Sequence, residues 1–248
     1  MKKILLTIAL VLAGVSVQAQ NLRTIKPESV VLMPTEAEWT EYKRLCKLDR
    51  EPTEAEMNRL EEIESNPILE SLYSGHCSWY CGGEVQRVTA SSHLKAQGRF
   101  NYLPKNAHDF DHESVWAEGV PGQGIGEWLE YSFAGACPRI TNVCILNGHV
   151  KSQSAWQANS RVKRLKMYYM GKPYAILELQ DVRGMQTFDV TTPIANPDPD
   201  DYPFIALGYH DADKPNWMLR FEILEVYPGT KYEDTVISEL FFDGIDVH

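Results

Sequence analysis

The sequence lacks an apolar run long enough to span a membrane. Its longest apolar run, ILLTIALVLAGV, follows MKK at the start of the chain, whereas a membrane-spanning helix needs about 20 apolar residues. A basic start, a short apolar run and small residues at the end are typical of a secretory signal peptide. We therefore expect residues 1–19 to be removed after Ala19, and the product to be exported to the periplasm or secreted.

Positive charge is also scarce. The chain has 24 Lys and Arg residues against 34 Asp and Glu residues, which gives a formal net charge of -10. Such a chain repels phosphate backbones and anionic membrane surfaces. Nucleic acid is therefore excluded as a partner, and a neutral ligand, a sugar or a cation is favoured.

Motifs for common catalytic chemistry are missing. No GxSxG elbow is present, and His112–Glu113 has no second histidine at the spacing of a zinc protease. The glycines of GQGIG at residues 122–126 do not have the dinucleotide-binding spacing. The acids that begin at Asp109 do not form an EF-hand, because Ser114 and Val120 occupy the positions of its glycine and its bidentate glutamate.

Cysteine is present in an odd number, five, and an exported protein can form disulfides. Cys77 and Cys81 lie close enough in CSWYC to form a small ring, which is the favoured bridge. Cys137 and Cys144 are a second candidate pair. A CxxxC metal site is the weaker interpretation, because no second pair lies at zinc spacing.

Capping-box patterns open two polar segments near the N-terminus. Thr35 is followed by Glu38, and Thr53 by Glu56, which predicts two short helices. We assign residues 20–72 to a helical hairpin region. Packing of its apolar stripes on each other or on the neighbouring domain is the favoured interpretation, and docking of a protein partner on the hairpin is the alternative.

After residue 73 the sequence pattern changes to short β-branched or alternating runs, which are separated by Gly, Pro, Asn and Asp. This pattern predicts a β-sandwich over residues 73–248. The predicted strands are 126–133, 140–147, 161–170, 174–179, 186–190, 204–208, 217–227 and 237–242.

An acidic, glycine-rich segment extends from Asn106 to Trp128. Asp109, Asp111, Glu113 and Glu118 provide carboxylate oxygens, which hard cations prefer. The segment therefore predicts an oxygen-lined cation site. An acid pair between Asp109 and Glu118 in a glycan hydrolase is the alternative, because a glycosidase needs only two opposed carboxylates.

A second polar group of residues follows the turn at Asn147–Gly148, and residues 151–159 are predicted to form a loop between two strands. A sugar would stack on an exposed Trp156 and accept hydrogen bonds from the polar side chains. In the alternative, Trp156 closes the end of the sandwich and Arg161 pairs with a carboxylate such as Asp234. For Trp116 and Trp128 we expect core packing. The candidate ligand-binding residues are Asn147, Lys151, Trp156, Asn159 and Arg161.

Five blocks together resemble a known family: AHDFDHESVWAEG, GQGIGEW, ILNGHVKS, NSRVKRL and YPGTKYEDTVISELFF. In this order they resemble the discoidin-like, F5/8 type C domain of the NAD glycohydrolase-type glycan-binding (translocation) family. The resemblance runs from about Cys77 to near the C-terminus and omits the helical hairpin. It implies a mainly β fold, a galactose-binding-type jelly-roll β-sandwich, and no hydrolase domain.

The resemblance also implies a structural calcium between an early acidic loop and a late glutamate. Carried over to this chain, its ligands are Asn106, Asp109, Asp111, Ser114 and Glu239. The chain departs from the usual loop at Phe110, where such loops have glycine, and at Ser114, where they have threonine.

Together these observations predict an exported, non-catalytic glycan-binding module with a small N-terminal helical hairpin. A secreted glycan hydrolase and a protein-interaction module are the two alternatives.

Overall fold

The computed structural model of the chain describes residues 22–73 and 78–247. The predicted signal peptide and Cys77 lie outside these residues. Among the described helices, none is long and apolar enough to cross a membrane.

Thirteen strands and four α-helices make up the described chain. The strands are β1 (Arg23–Ile25), β2 (Ser29–Leu32), β3 (Arg87–Ala90), β4 (Trp116–Ala117), β5 (Trp128–Phe133), β6 (Ile140–Asn147), β7 (Arg161–Tyr169), β8 (Lys172–Glu178), β9 (Gly184–Asp189), β10 (Thr192–Pro193), β11 (Phe204–Ile205), β12 (Trp217–Tyr227) and β13 (Val236–Gly244). The helices are α1 (Glu36–Leu45), α2 (Glu54–Glu64), α3 (Pro67–Tyr73) and α4 (Gln153–Ala158). Short 3₁₀ helices span Trp79–Cys81 and Pro104–His108.

Two sheets form a jelly-roll β-sandwich. One sheet has six strands in the order β1-β8-β7-β12-β5-β3, and the other has five in the order β2-β9-β6-β13-β4. A separate ribbon, β10-β11, flanks the acidic connection at residues 196–203. Every predicted strand is confirmed, with ends shifted by a few residues.

The main core lies between the sheets, and the alternation of side chains along the strands builds it. In β5, Leu129, Tyr131 and Phe133 are buried in this core, while the residues between them are only partly buried. Successive side chains of a strand point to opposite faces, so one face of each strand enters the core. Trp116 lies in this core as expected. Trp128 does not, because it lies half-buried beneath the Arg220 guanidinium, 4.3 Å from its ring centroid.

A second core lies between the five-stranded sheet and the helices. Leu146, Met185 and Phe241 of β6, β9 and β13 pack there with Trp39 of α1 and Ile68 of α3. The hairpin therefore covers one face of the sandwich. This confirms the interpretation that its apolar stripes pack on the neighbouring domain.

Both predicted capping boxes are confirmed. The Thr35 and Thr53 side chains accept hydrogen bonds from the main-chain N–H of Glu38 and Glu56, and each glutamate side chain accepts the N–H of its threonine. Each box pairs donors at a helix start that have no partner within the helix.

The segment before the helices contributes an edge strand to each sheet. β1 pairs in parallel with β8, and β2 pairs antiparallel with β9. Sequence patterns did not predict these strands, which are only 3 and 4 residues long. The boundary at residue 73 stays a prediction, but residues before it complete both sheets.

Cys137 and Cys144 are not joined, so that candidate pairing was wrong. Cys137 belongs to the core between the sheets, whereas Cys144 belongs to the core beneath the helices. The sheet separates the two side chains because they lie on its opposite sides. The favoured Cys77–Cys81 bridge involves Cys77, outside the described residues.

Candidate functional site

The acidic loop begins where the 3₁₀ helix Pro104–His108 ends. The Asp109 carboxylate accepts hydrogen bonds from the Asp111 main-chain N–H at 3.1 Å and from the Ser114 hydroxyl at 2.8 Å. Phe110, between the two acids, has a φ of 58° and packs edge-on against Tyr80. Burial of the Phe110 ring offsets the strain of this left-handed backbone.

Glu239 of β13 projects beneath the acidic loop. Its side chain is 0% exposed, and its Oε1 atom accepts the Asp111 main-chain N–H at 2.9 Å. Its Oε2 atom is buried and has no hydrogen-bond partner in the described residues. Burial, followed by the charge of the neighbouring Asp109 carboxyl, raises the pKa of Glu239 well above its usual range.

This arrangement has the chemistry of a hard-cation site. A buried carboxylate oxygen without a donor is costly, and a cation would neutralise both adjacent carboxyls. The Asn106 main-chain carbonyl lies nearby, because it accepts the Ser114 hydroxyl at 3.4 Å. The Asn106 amide and the Asp111 carboxylate instead bond to the main chain. No cluster of three or more His, Cys, Asp or Glu suited to a metal occurs in the described residues.

The acidic loop is also attached to the helical hairpin. His112 stacks on Trp39 of α1 with ring centroids 4.6 Å apart and planes 4° apart. Beside this stack, Lys43 forms an ion pair with Glu113 at 3.0 Å. The hairpin and the candidate cation loop therefore share one interface.

Glu118 has a structural role distinct from that of Glu239. One of its oxygens accepts the Val120 N–H at 2.9 Å and the other accepts the Thr235 N–H at 3.2 Å. Gly124, at a φ of +64°, packs so closely that a Cβ there would overlap the Glu118 side chain. Burial raises the pKa of Glu118, and its acidic neighbours are Asp234 and Glu127. The described geometry thus favours a structural role, in which the Glu118 carboxylate holds a loop in place. It does not favour Glu118 as part of the acid pair of a hydrolase.

Two of the predicted ligand-binding residues are buried and fully used by the fold. The Asn147 side chain donates to the Val162 carbonyl at 2.7 Å and accepts the Val162 N–H at 2.9 Å. Arg161 donates to both carboxylate oxygens of Asp181, at 2.8 and 3.1 Å. The alternative in which Arg161 pairs with a carboxylate is confirmed, but the carboxylate is Asp181 and not Asp234, which the sequence offered as an example.

The other three residues differ in their exposure. The expectation of an exposed Trp156 is wrong, because the residue is 8% exposed and belongs to the core beneath the helices. It donates its indole N–H to the Asn147 carbonyl at 3.0 Å and has the Arg161 guanidinium 4.3 Å from its ring centroid. Asn159 donates to the Ala155 carbonyl at 2.9 Å. Lys151 is exposed, with its amine 5.8 Å from the Phe100 ring centroid. Residues 151–159 were predicted as a loop, but α4 forms within them because Ser152 caps its N-terminus.

Beside Trp156 lies a cavity of about 440 Å³, within the size range of ligand pockets. Its lining combines one indole, apolar side chains and several planar polar groups. We call it the Trp156 pocket, and its lining residues are Leu32, Met33, Thr35, Glu36, Gln153, Trp156, Asp181, Val182 and Arg183. It lies at the end of the sandwich where β6 ends and β7 begins, which we call the Asn147 end.

Arg183 positions two sides of this pocket. Its guanidinium donates to the Val150 carbonyl at 2.8 Å and to the Pro34 carbonyl at 3.2 Å. Glu36 accepts the main-chain N–H of Gln153 at 3.1 Å. The start of α1 is therefore bonded to α4 across the pocket. Sequence reasoning missed this contribution of residues 32–36 and 181–183, which are distant from Trp156 in the chain.

Residues 79–243 match the model of the NAD glycohydrolase translocation F5/8 type C domain family. The match covers more than half of the chain. This chain belongs to that family. The comparison with curated proteins gave no match. The F5/8 type C domain contains Trp156, the acidic loop and Glu239, whereas residues 32–36 of the Trp156 pocket precede it.

The chain is also similar to several solved structures. One is CpGH89CBM32-5 from Clostridium perfringens, solved in complex with GalNAc-β-1,3-galactose, with 13% identity, a TM-score of 0.41 and coverage of 68% of this chain and 99% of that one. Another is CBM32-3 from a family 31 glycoside hydrolase of the same organism, with 14% identity, a TM-score of 0.41 and coverage of 66% and 92%. The arabinofuranosyltransferase AftD from Mycobacteria has 17% identity, a TM-score of 0.41 and coverage of 67% of this chain and 11% of that one.

Proposed function

We propose that this protein is an exported, non-catalytic carbohydrate-binding module whose glycan site is the Trp156 pocket. The pocket's lining carries the proposal. Sugar sites combine an aromatic surface for the C–H groups of the ring with planar polar side chains for its hydroxyls. Trp156 lines the pocket with the 8% of its surface that stays exposed, and Gln153, Asp181 and Arg183 line it with polar groups.

The contacts of Trp156 also hold its ring in place for a glycan. Arg161 covers the Trp156 ring and the Asn147 carbonyl holds its N–H, so the indole is fixed before a ligand arrives. Preorganisation reduces the entropy lost on binding. Binding of this kind needs no catalytic acid, in keeping with the use of both Glu118 oxygens by main-chain donors.

A blocking substitution tests the glycan site. Gln153 lines the pocket from α4 and is exposed, so Gln153→Trp should fill the cavity without disturbing the core. Gln157→Trp is the matched control, because Gln157 is exposed on the same helix and does not line the pocket. On a glycan array, we expect Gln153→Trp to lose the binding that Gln157→Trp retains. Equal binding by both variants, or no binding by the unaltered protein, would overturn the proposed site.

The non-catalytic part of the proposal has its own test. The bound glycan from the array is incubated with the protein, and new reducing ends are measured. We expect none above the rate of a heat-denatured sample. Release of reducing sugar that Glu118→Gln abolishes would instead establish the hydrolase alternative.

We also propose that the acidic loop binds a structural calcium ion. Glu239 and Asp109 would supply carboxylate oxygens and Asn106 a carbonyl, and the ion would neutralise the buried pair. The unpartnered Oε2 atom of Glu239 supports this proposal. Ser114 and the main chain of Asp111 would hold the loop in position through their bonds to Asp109 and Glu239.

Thermal unfolding tests the calcium proposal. After treatment with EDTA, calcium at about one hundred times its Kd should raise the Tm by about 5 °C. Glu239→Gln should abolish this rise. Glu118→Gln should retain it, since Glu118 is an equally buried carboxylate whose oxygens both have partners. An identical calcium response in the two variants would contradict the proposed ligand set.

A further inference from the structure

A basic segment stands out in this acidic chain. Residues 91–108 contain Lys95, Arg99 and Lys105 but no Asp or Glu, although the whole chain has a formal net charge of -10. The segment follows β3 and leads into the candidate cation loop. Lys151, which lies near the Asn147 end, contacts this segment at Phe100.

A tight turn presents an aromatic ring within this segment. Gln97 and Phe100 exchange main-chain hydrogen bonds of 2.9 and 3.1 Å, and Gly98 provides the positive φ of 62° between them. The Phe100 side chain at the end of the turn is 50% exposed. A single exposed aromatic ring is common on a protein surface, so the groups around Phe100 decide whether it marks a site.

Two cations lie against this ring. The Arg99 guanidinium is 5.0 Å and the Lys151 amine 5.8 Å from the Phe100 ring centroid. Both distances lie within the range of cation–π attraction. Lys151 was predicted to bind a ligand from sequence, and the structure joins it to Phe100, 51 positions earlier in the printed chain.

These cations remain available to an anionic ligand. Among the described residues, Lys95, Arg99, Lys105 and Lys151 form no ion pair. Glu113 is the acid whose charge acts on Lys151, and it already accepts Lys43 at 3.0 Å. An incoming carboxylate or sulfate would thus meet cations that form no ion pair with the described residues.

We propose that Phe100, Arg99 and Lys151 form a second subsite, which binds acidic polysaccharide. The proposal rests on the carbohydrate-binding function and names the class of sugar. Phe100 stacks on the C–H face of a pyranose ring. Arg99 and Lys151 bind the carboxylate or sulfate groups of that ring and its neighbours. The site is separate from the Trp156 pocket, whose lining contains none of these three residues.

The placement of the charges favours a polysaccharide over a membrane. Insertion of Phe100 into hydrocarbon would strip water from the two cations beside its ring, which is costly. A polymer lying along the surface contacts the ring and both cations while they remain hydrated.

Three dextrans test the subsite with the full mature chain: unmodified dextran, carboxymethyl-dextran and dextran sulfate. Affinity electrophoresis should show binding to one or both acidic forms and weaker binding to dextran. The two acidic forms distinguish carboxylate from sulfate recognition. Raising the ionic strength from about 0.05 M to about 0.5 M should weaken this binding, because salt screens exposed charges.

Matched variants test the three residues. Phe100→Ala should weaken acidic-polymer binding about fivefold, and Arg99→Gln/Lys151→Gln by at least about as much. Tyr202→Ala is the aromatic control, since Tyr202 is 47% exposed with Arg139 5.8 Å from its ring centroid but lies beside Asp200 and Asp201. Lys172→Gln/Lys214→Gln removes the same charge from exposed sites elsewhere. Both controls should bind like the unaltered protein.

The outcomes for the Phe100 subsite are separate from those for the Trp156 pocket. Unchanged acidic-polymer binding in both the Phe100 and the Arg99/Lys151 variants, or equal losses in the controls, would overturn the subsite. Binding to phosphatidylserine vesicles that Phe100→Ala abolishes, without binding to acidic dextrans, would overturn it in favour of a membrane. Gln153→Trp should leave acidic-dextran binding intact, and it affects only the Trp156 pocket.

Discussion

The Asn147 side chain forms a pair of hydrogen bonds with the main chain of Val162, deep in the Asn147 end. Both groups of its amide are satisfied there, and the residue is 1% exposed. Its neighbours Arg161 and Trp156 are also held by the protein. At the scale of single residues, amide and guanidinium groups that would suit a sugar here hold the end of β6 and the start of β7 in place.

Asn147→Ala should lower the free energy of unfolding by about 2–3 kcal/mol, because it leaves a buried N–H and a buried carbonyl of Val162 without partners. Urea denaturation followed by tryptophan fluorescence would measure this loss. Asn159→Ala, which removes one bond to the Ala155 carbonyl, is the control and should cost about 1 kcal/mol. Unchanged stability in Asn147→Ala, with loss of glycan binding, would instead assign Asn147 to the ligand site.

Glu239 shows what a sequence reveals about a buried acid and what it leaves open. The family resemblance predicted Glu239 as a cation ligand. Its complete burial and its bond to the Asp111 N–H required the structure. The two residues are 128 positions apart, so no local pattern records their contact.

At the scale of elements, the start of each hairpin helix depends on residues close in sequence, whereas the sheet surface that the hairpin covers is distant in sequence. The capping boxes were predictable because each joins residues three positions apart. The surface that the helices cover was not, since it consists of outward-facing residues of β6, β9 and β13. In β6 and β13, residues on both faces of the strand are buried, as in strands that are covered on both sides.

Ile68→Ala should destabilise the protein by about 2–4 kcal/mol, because Ile68 of α3 is fully buried against the five-stranded sheet. The control is Met57→Ala on α2, where the side chain is 48% exposed, and its effect should stay within about 0.5 kcal/mol. Denaturant midpoints of the two variants provide the comparison. Similar midpoints would mean that the helices do not stabilise the sandwich.

The short strands β1 and β2 were missed for a related reason. Three or four residues carry too little alternation for a pattern to indicate a strand. Pairing with β8 and β9 makes them strands. The tertiary context therefore overrides the weak local preference of these segments.

At the scale of the whole molecule, the part before residue 73 and the sandwich depend on each other. The first part supplies two edge strands and covers an apolar sheet face. It also contributes residues 32–36 to the Trp156 pocket and Trp39 to the interface with the acidic loop. The F5/8 type C domain is thus extended at its edges, on one face and at its candidate site.

A chain that starts at residue 73 should aggregate, because it exposes the edges of β8 and β9 and the apolar residues Leu146, Met185 and Phe241. Unpaired edges and large apolar patches promote association. Size-exclusion chromatography with light scattering would compare it with the chain that starts at residue 20. A monomeric, equally stable fragment would show that residues 73–248 fold as an independent domain.

The sequence by itself determined the mainly β class, the position of nearly every long strand, both capped helices and the family. These features depend on residues close together in the chain, or on blocks in a fixed order. Only the tertiary structure decided that Asn147 and Arg161 are buried, that Asp181 pairs with Arg161, that Phe100 meets Lys151 and that β1 and β2 complete the sheets. Side chains distant in sequence become neighbours only when the strands pair and the helices cover the sheet, and burial then determines whether a polar group binds a ligand or stabilises the fold.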